Sequence, residues 1–306
     1  MPSPARLMIR AQLPAYSSRT VRAQGRARWE VVGRKVLGVS HALSGAALGL
    51  GVAGFAAGWS GAPLDAGGVL TFAAVCAGAA LLPDLDHPSS MATTRFSWAS
   101  VVASRVVRPL SALVYRLTRT PRDTGRGAHR GLTHTALFAV GIGAAVNAAS
   151  AAWGAPVLLG TLFVCIALAI KGLDAVVPGP PSLLVAAGLT YAVDTWMPGG
   201  VDGTAGWLGT AVTLGVLVHS VGDAVTESGA PLLWPVPIRR RRWYPVGGPR
   251  PMRMRTGGRV ETLLVAPALA LAVFLLVLLV VPGAGELALE LRDRVGDLLA
   301  VRSGDG

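Results

Sequence analysis

Apolar residues gather in seven runs, 36–58, 67–83, 133–153, 155–176, 182–197, 205–222 and 262–282. A helix needs about 20 such residues to cross a bilayer, so each run predicts a membrane span. The last, LLVAPALALAVFLLVLLVV, is unbroken by any charge, whereas the second and fifth are short and the fifth carries Asp194. Many runs are rich in Gly and Ala, which lets helices approach closely in lipid. The expectation is an all-α, polytopic bundle of about seven spans. A segment 1–35 precedes it, an embedded domain occupies 36–282 with long loops at 84–132 and 223–260, and a tail covers 283–306.

Charge then orients the bundle. Eight Lys or Arg residues precede the first span, eight lie between the second and third, and eight between the sixth and seventh, 24 of the 28 in the chain. The connections 59–66, 154 and 198–204 hold none. Positive residues mark cytoplasmic loops, so the N-terminus and both long loops are expected in the cytoplasm. Composition agrees with the class: 52% of residues are hydrophobic and 14% charged, against about 25% charged in soluble domains. Residues 1–35 are basic without an apolar core, so no cleavable signal peptide is expected. Cys76 and Cys165 sit inside apolar runs and read as small packing residues.

The net charge of +12 raises the question of nucleic acid. Its distribution favours topology and contact with anionic phospholipid headgroups, including at the run Arg239–Arg242 beside Trp243 and Tyr244. Residues 96–117, FSWASVVASRVVRPLSALVYRL, mix apolar residues with Arg105, Arg108 and Arg116. That composition predicts a surface-lying amphipathic segment, interrupted near Pro109. Such a segment would form a lid or lipid contact, or would simply be a basic cytoplasmic loop.

The candidate chemistry lies at the ends of the spans. His41 opens the first, LLPDLDHP (81–88) closes the second, HRGLTH (129–134) opens the third, HSVGDAVTESGAP (219–231) closes the sixth, and Glu261 opens the seventh. With the predicted topology, all five pieces meet on one face of the membrane. His219 and Asp223 are four apart and share a helix face; Glu227 continues that face if the helix persists. Thr133 is an N-cap candidate for the third span. One histidine at a helix end would be read as hydrogen-bonding between helices. Five histidines with at least four acids on one face instead favour a divalent metal, zinc or manganese, because these side chains are its usual ligands. The donors outnumber those of a single zinc site, which leaves one or two ions open, with the surplus orienting ligands or acting as general base.

The ordered set HALSGA (41–46), LLPDLDHP, HRGLTH and HSVGDAVT, followed by GAPLLWP, resembles the YdjM-type family of bacterial inner-membrane metal-dependent hydrolases over residues 38–262. TGGRVE (256–261) resembles that family's Thr-Gly-Ser-x-x-Glu ending. The resemblance implies His41, Asp84, Asp86, His87, His129, His134, His219 and Asp223 as metal-site residues, with Glu261 added. It also implies phosphoester substrates, through a likeness to zinc-dependent phospholipase C-like folds. The Arg-rich insert before His129 and the arginines of 239–255 depart from the pattern. The expected function is a membrane-bound, metal-dependent hydrolase facing the cytoplasm from the bacterial inner membrane. Asp86, Glu227 and Arg130 are its catalytic candidates, Arg130 to steady an anionic substrate. A metal or proton transporter using the same cluster is the alternative.

Overall fold

The computed structural model describes residues 38–55, 64–86, 98–124, 130–173, 181–249, 251 and 253–304. The basic segment 1–35, His87, His129 and Asp174 lie outside the described residues. The helices are α1 (Gly38–Phe55), α2 (Ala66–Ala79), α3 (Trp98–Thr118), α4 (Ala136–Trp153), α5 (Ala155–Leu173), α6 (Pro181–Trp196), α7 (Leu208–Ala224), α8 (Ala266–Val280) and α9 (Ala284–Gly304). Short 3₁₀ turns cover Pro83–Asp86 and Leu132–His134, and a π-turn covers Glu261–Val265. Among the described residues, β-pairing is limited to three isolated bridges.

The protein is an all-α, multi-pass bundle. Five stretches are long and apolar enough to cross a membrane, namely Gly38–Phe55, Ala66–Asp86, Ala136–Trp153, Ala155–Leu173 and Glu261–Val280. The shorter apolar α7 is a sixth candidate, and α6 matches the run expected at 182–197. Helix α2 is the axis: 72% of its apolar stretch is buried, against no residue of α8, which faces outward.

Small residues set the spacing. A Cβ at Gly78 of α2 would run into the Cys165 carbonyl of α5, and one at Gly143 of α4 would meet Thr213 and the Gly209 carbonyl of α7. Backbones this close exchange dispersion contacts that larger side chains would hold apart. Cys76 belongs to the same packing and donates from Sγ to the Ala211 carbonyl at 3.2 Å.

Helix ends place the site. Asp65 caps α2 by accepting from the Gly68 amide at 2.8 Å. The cap of α4 is Thr135, whose Oγ1 accepts from the Phe138 amide at 3.1 Å, and not Thr133 as expected. Gly45 and Gly49 of α1 face Cys76–Ala77 and Ala73 of α2, and Gly143 and Asn147 of α4 face Thr213 and Gly209 of α7 in turn, so both helix pairs are antiparallel. The start of α1, the end of α2, the start of α4 and the end of α7 therefore share one end of the bundle.

Helix α3 also departs from expectation. It runs unbroken through Pro109. Proline removes one main-chain hydrogen bond, here to the carbonyl of Arg105, which is on the exposed part of the helix. Helix α3 packs against both 3₁₀ turns. Its far end is gripped by the segment after α7: Tyr115 lies 5.2 Å from Trp243, which stacks on Trp234 at 4.9 Å.

Candidate metal centre

Six expected site residues come together in a buried cluster at that end. His134, His219 and Asp86 are 0% exposed, and His41, Asp84 and Asp223 are also buried. In this low-dielectric setting, imidazoles and carboxylates need charged or hydrogen-bonded partners.

Asp223 is the hub. Its carboxylate lies 3.2 Å from His134 Nε2, 3.8 Å from His219 Nε2 and 3.7 Å from His41 Nε2. Arg130 grips it with two parallel bonds, Nε to Oδ2 at 2.9 Å and Nη2 to Oδ1 at 3.0 Å. The remaining nitrogen, Nη1, donates to Thr226 Oγ1 at 2.8 Å and to the Gly229 carbonyl at 3.4 Å. All three guanidinium nitrogens are thus committed within the protein. Arg130 also holds a left-handed backbone (φ 50°), a strained choice for a non-glycine residue. In this arrangement the guanidinium holds Asp223 in place.

The histidines are oriented nitrogen by nitrogen. His219 Nδ1 lies 2.7 Å from the Ala80 carbonyl. A carbonyl only accepts, so Nδ1 carries the proton and Nε2 keeps its lone pair. Nε2 in turn lies 3.2 Å from His134 Nε2 and 3.9 Å from Asp84 Oδ1. On its other side His134 presents Nδ1 to Asp86 Oδ2 at 3.5 Å and to Thr133 Oγ1 at 3.0 Å, while Thr133 donates to Asp86 at 2.7 Å.

The donor set fits a divalent ion. Tetrahedral donors about 2.0–2.1 Å from zinc stand roughly 3.3 Å apart. Two groups have all their candidate atoms within 4.8 Å of one another: His41 with His219 and Asp223, and Asp84 with His134 and His219. His41 Nε2 is buried with no hydrogen-bond partner among the described residues, a cost that a bound cation would remove. Asp86 faces the far nitrogen of His134, the carboxylate–histidine arrangement that fixes a ligand's tautomer.

Other expected residues fall differently. Glu261 is buried at the head of the π-turn, accepts from the Gly257 amide at 2.7 Å, and lies within electrostatic reach of His41. Glu227 is not on the His219–Asp223 face: α7 stops at Ala224, Glu227 is exposed, and its amide donates to the Met254 carbonyl. Thr133, Thr226 and the Ala80 carbonyl are the contacts that pattern reading did not find. Only the position of Thr133 inside HRGLTH hinted at its part.

The fold and cluster define a multi-pass membrane protein with an ionisable site at one end of its helices. The chain belongs to the YdjM inner membrane protein family, whose model matches residues 36–284. No curated protein and no solved structure matches it.

Proposed function

We propose that the protein is a metal-dependent hydrolase of the bacterial inner membrane, acting on a phosphoester such as a lipid headgroup at the cytoplasmic face. The observation that carries this reading is the gathering of three imidazole Nε2 atoms with the Asp84 and Asp223 carboxylates in two buried groups that share His219. The cytoplasmic orientation rests on the three clusters of Lys and Arg that flank this end.

His41, His134, His219, Asp84 and Asp223 would hold the ion, zinc or manganese by their chemistry. His219 has a single free lone pair, because Nδ1 is spent on Ala80, so it serves one ion only. The two donor groups share His219 and therefore describe one ion's surroundings; a second ion would have to do without it. Once bound, a zinc-type ion lowers the pKa of water and polarises a phosphoryl oxygen. The chain's own residues prepare the place: Asp86 and Thr133 fix His134, Ala80 fixes His219, and Arg130 holds both oxygens of Asp223. Asp86 is fully buried and acts through His134, a positioning part rather than a reacting one. A transporter would use acids near the middle of its spans. Asp194 instead sits in the last turn of α6 and accepts from the Val201 amide.

The test is a phosphoester screen, including phospholipid headgroups, on protein in nanodiscs, with and without added zinc or manganese. The proposal expects turnover that a chelator stops and metal restores, and that His219→Ala lacks. Metal-dependent cation uptake into liposomes without any phosphoester turnover would replace it with the transporter reading.

A further inference from the structure

We infer that α3 is an in-plane membrane helix, seated in the anionic phospholipid interface at the site's end of the bundle. Val106, Leu110, Leu113 and Leu117 are 61, 50, 47 and 75% exposed. Their spacing of four, three and four puts them in one stripe along the helix. Ser104, Ser111 and Tyr115 are buried, and at 3.6 residues per turn they lie on the opposite side. Arg105, Arg116 and Arg119 are exposed on a flank between the two faces.

The buried side is occupied by protein. Ser111 Oγ accepts the Leu132 amide at 3.0 Å, which ties α3 to the HRGLTH turn. Trp243 packs on Tyr115 and donates from Nε1 to Thr118 Oγ1 at 3.1 Å. The apolar stripe therefore points away from the bundle with its orientation fixed. Water is a poor environment for four aligned aliphatic side chains. The helix is no span either, since Arg105, Arg108 and Arg116 interrupt it and it is absent from the stretches apolar enough to cross. A stripe with a cationic flank, joined to an embedded domain, matches an interface of acyl chains below and anionic phosphates beside them. Arginine stems reach such phosphates while their helix stays at the boundary. The consequence is that the Leu132–His134 turn is held at headgroup depth, whether or not the cluster turns over a substrate.

The test places single nitroxide labels on full-length protein in nanodiscs of phosphatidylcholine and phosphatidylglycerol, with Cys76 and Cys165 replaced by Ala. Labels enter at Val106→Cys, Leu110→Cys, Leu113→Cys, Leu117→Cys, Arg105→Cys, Arg116→Cys and Arg119→Cys, and collisions with oxygen and with a water-soluble nickel complex are compared. The four stripe labels are expected to favour oxygen and the three flank labels nickel. Exchange of phosphatidylglycerol for neutral lipid is expected to shift the stripe labels toward nickel. Nickel access at all seven positions overturns the inference, as does shielding of the stripe from both reagents, which a protein partner would produce. An unshifted stripe in neutral lipid overturns the anionic part. Each variant is checked for a monodisperse profile in detergent, and these exposed positions are expected to pass.

Discussion

Asp86 and Asp84 are two residues apart, yet the structure gives them different work, and replacing each by asparagine separates them. Asp86 sits 3.5 Å from His134 Nδ1 and takes the Thr133 hydroxyl at 2.7 Å. Asp84 belongs to the group with His134 and His219. Asp86→Asn keeps the shape of the side chain but removes the charge that orients a ligand from behind. Losing such a partner costs roughly 10–100-fold in metal affinity, or about 1.4–2.8 kcal/mol at 1.4 kcal/mol per tenfold. Asp84→Asn removes a donor itself. A four-ligand zinc site binds with about 10–16 kcal/mol in all, so one ligand's share is on the order of 3 kcal/mol. Its loss is expected to exceed that of Asp86→Asn by up to roughly tenfold. Competition with a chromophoric zinc chelator, on purified protein in detergent, reads both values. Wild-type affinity in Asp86→Asn, or equal losses in the two variants, would refute the division of labour.

Other outcomes follow from the same contacts. Arg130→Met strands the buried Asp223 carboxylate, and the metal-free protein is expected to lose about 3–5 kcal/mol in a denaturant titration; an unchanged midpoint would show that Asp223 does not depend on the guanidinium. Gly143→Val forces α4 from α7 and should cost about 1–3 kcal/mol or more, while Gly141→Ala, with open space at its Cβ, should not; equal thermal midpoints for both would dismiss the close approach. Asp123 stays below the usual carboxylate range, because burial is outweighed by bonds from Thr120, Trp243 and Arg242. Its contribution is therefore fully present above the unfolded value near about 3.9 and disappears as pH falls through the lower folded value. The protection factor of the Trp243 amide should fall as the medium is acidified below about pH 4, and Asp123→Ala should leave that amide unprotected at neutral pH; a protected amide in that variant would contradict the assignment.

Hydropathy alone placed the spans to within a few residues, because lipid demands long apolar helices and tolerates little else. The cluster was legible for the same reason: histidines and aspartates at the ends of such helices are too costly to be incidental. Its internal wiring was not legible. Arg130 and Asp223 are 93 residues apart, and nothing local to either says that a guanidinium would be spent on a carboxylate instead of a substrate. Thr133 and Thr135 are equally good caps by type; the choice depends on Asp86 accepting from one of them. Glu227 left the site because the helix ended three residues early, whereas Pro109 failed to end a helix whose freed carbonyl is on an exposed turn. For Arg130 and the threonines, a contact between distant segments overrode a local preference.

The central claim is that the buried imidazoles and carboxylates exist to hold a cation. Elemental mass spectrometry of protein purified without chelator, beside His219→Ala prepared identically, addresses it most directly. The account predicts close to one zinc or manganese ion per chain in the native protein, and a trace in the variant. A native protein that takes up no stoichiometric metal even after loading, or a variant that retains the full amount, would contradict it.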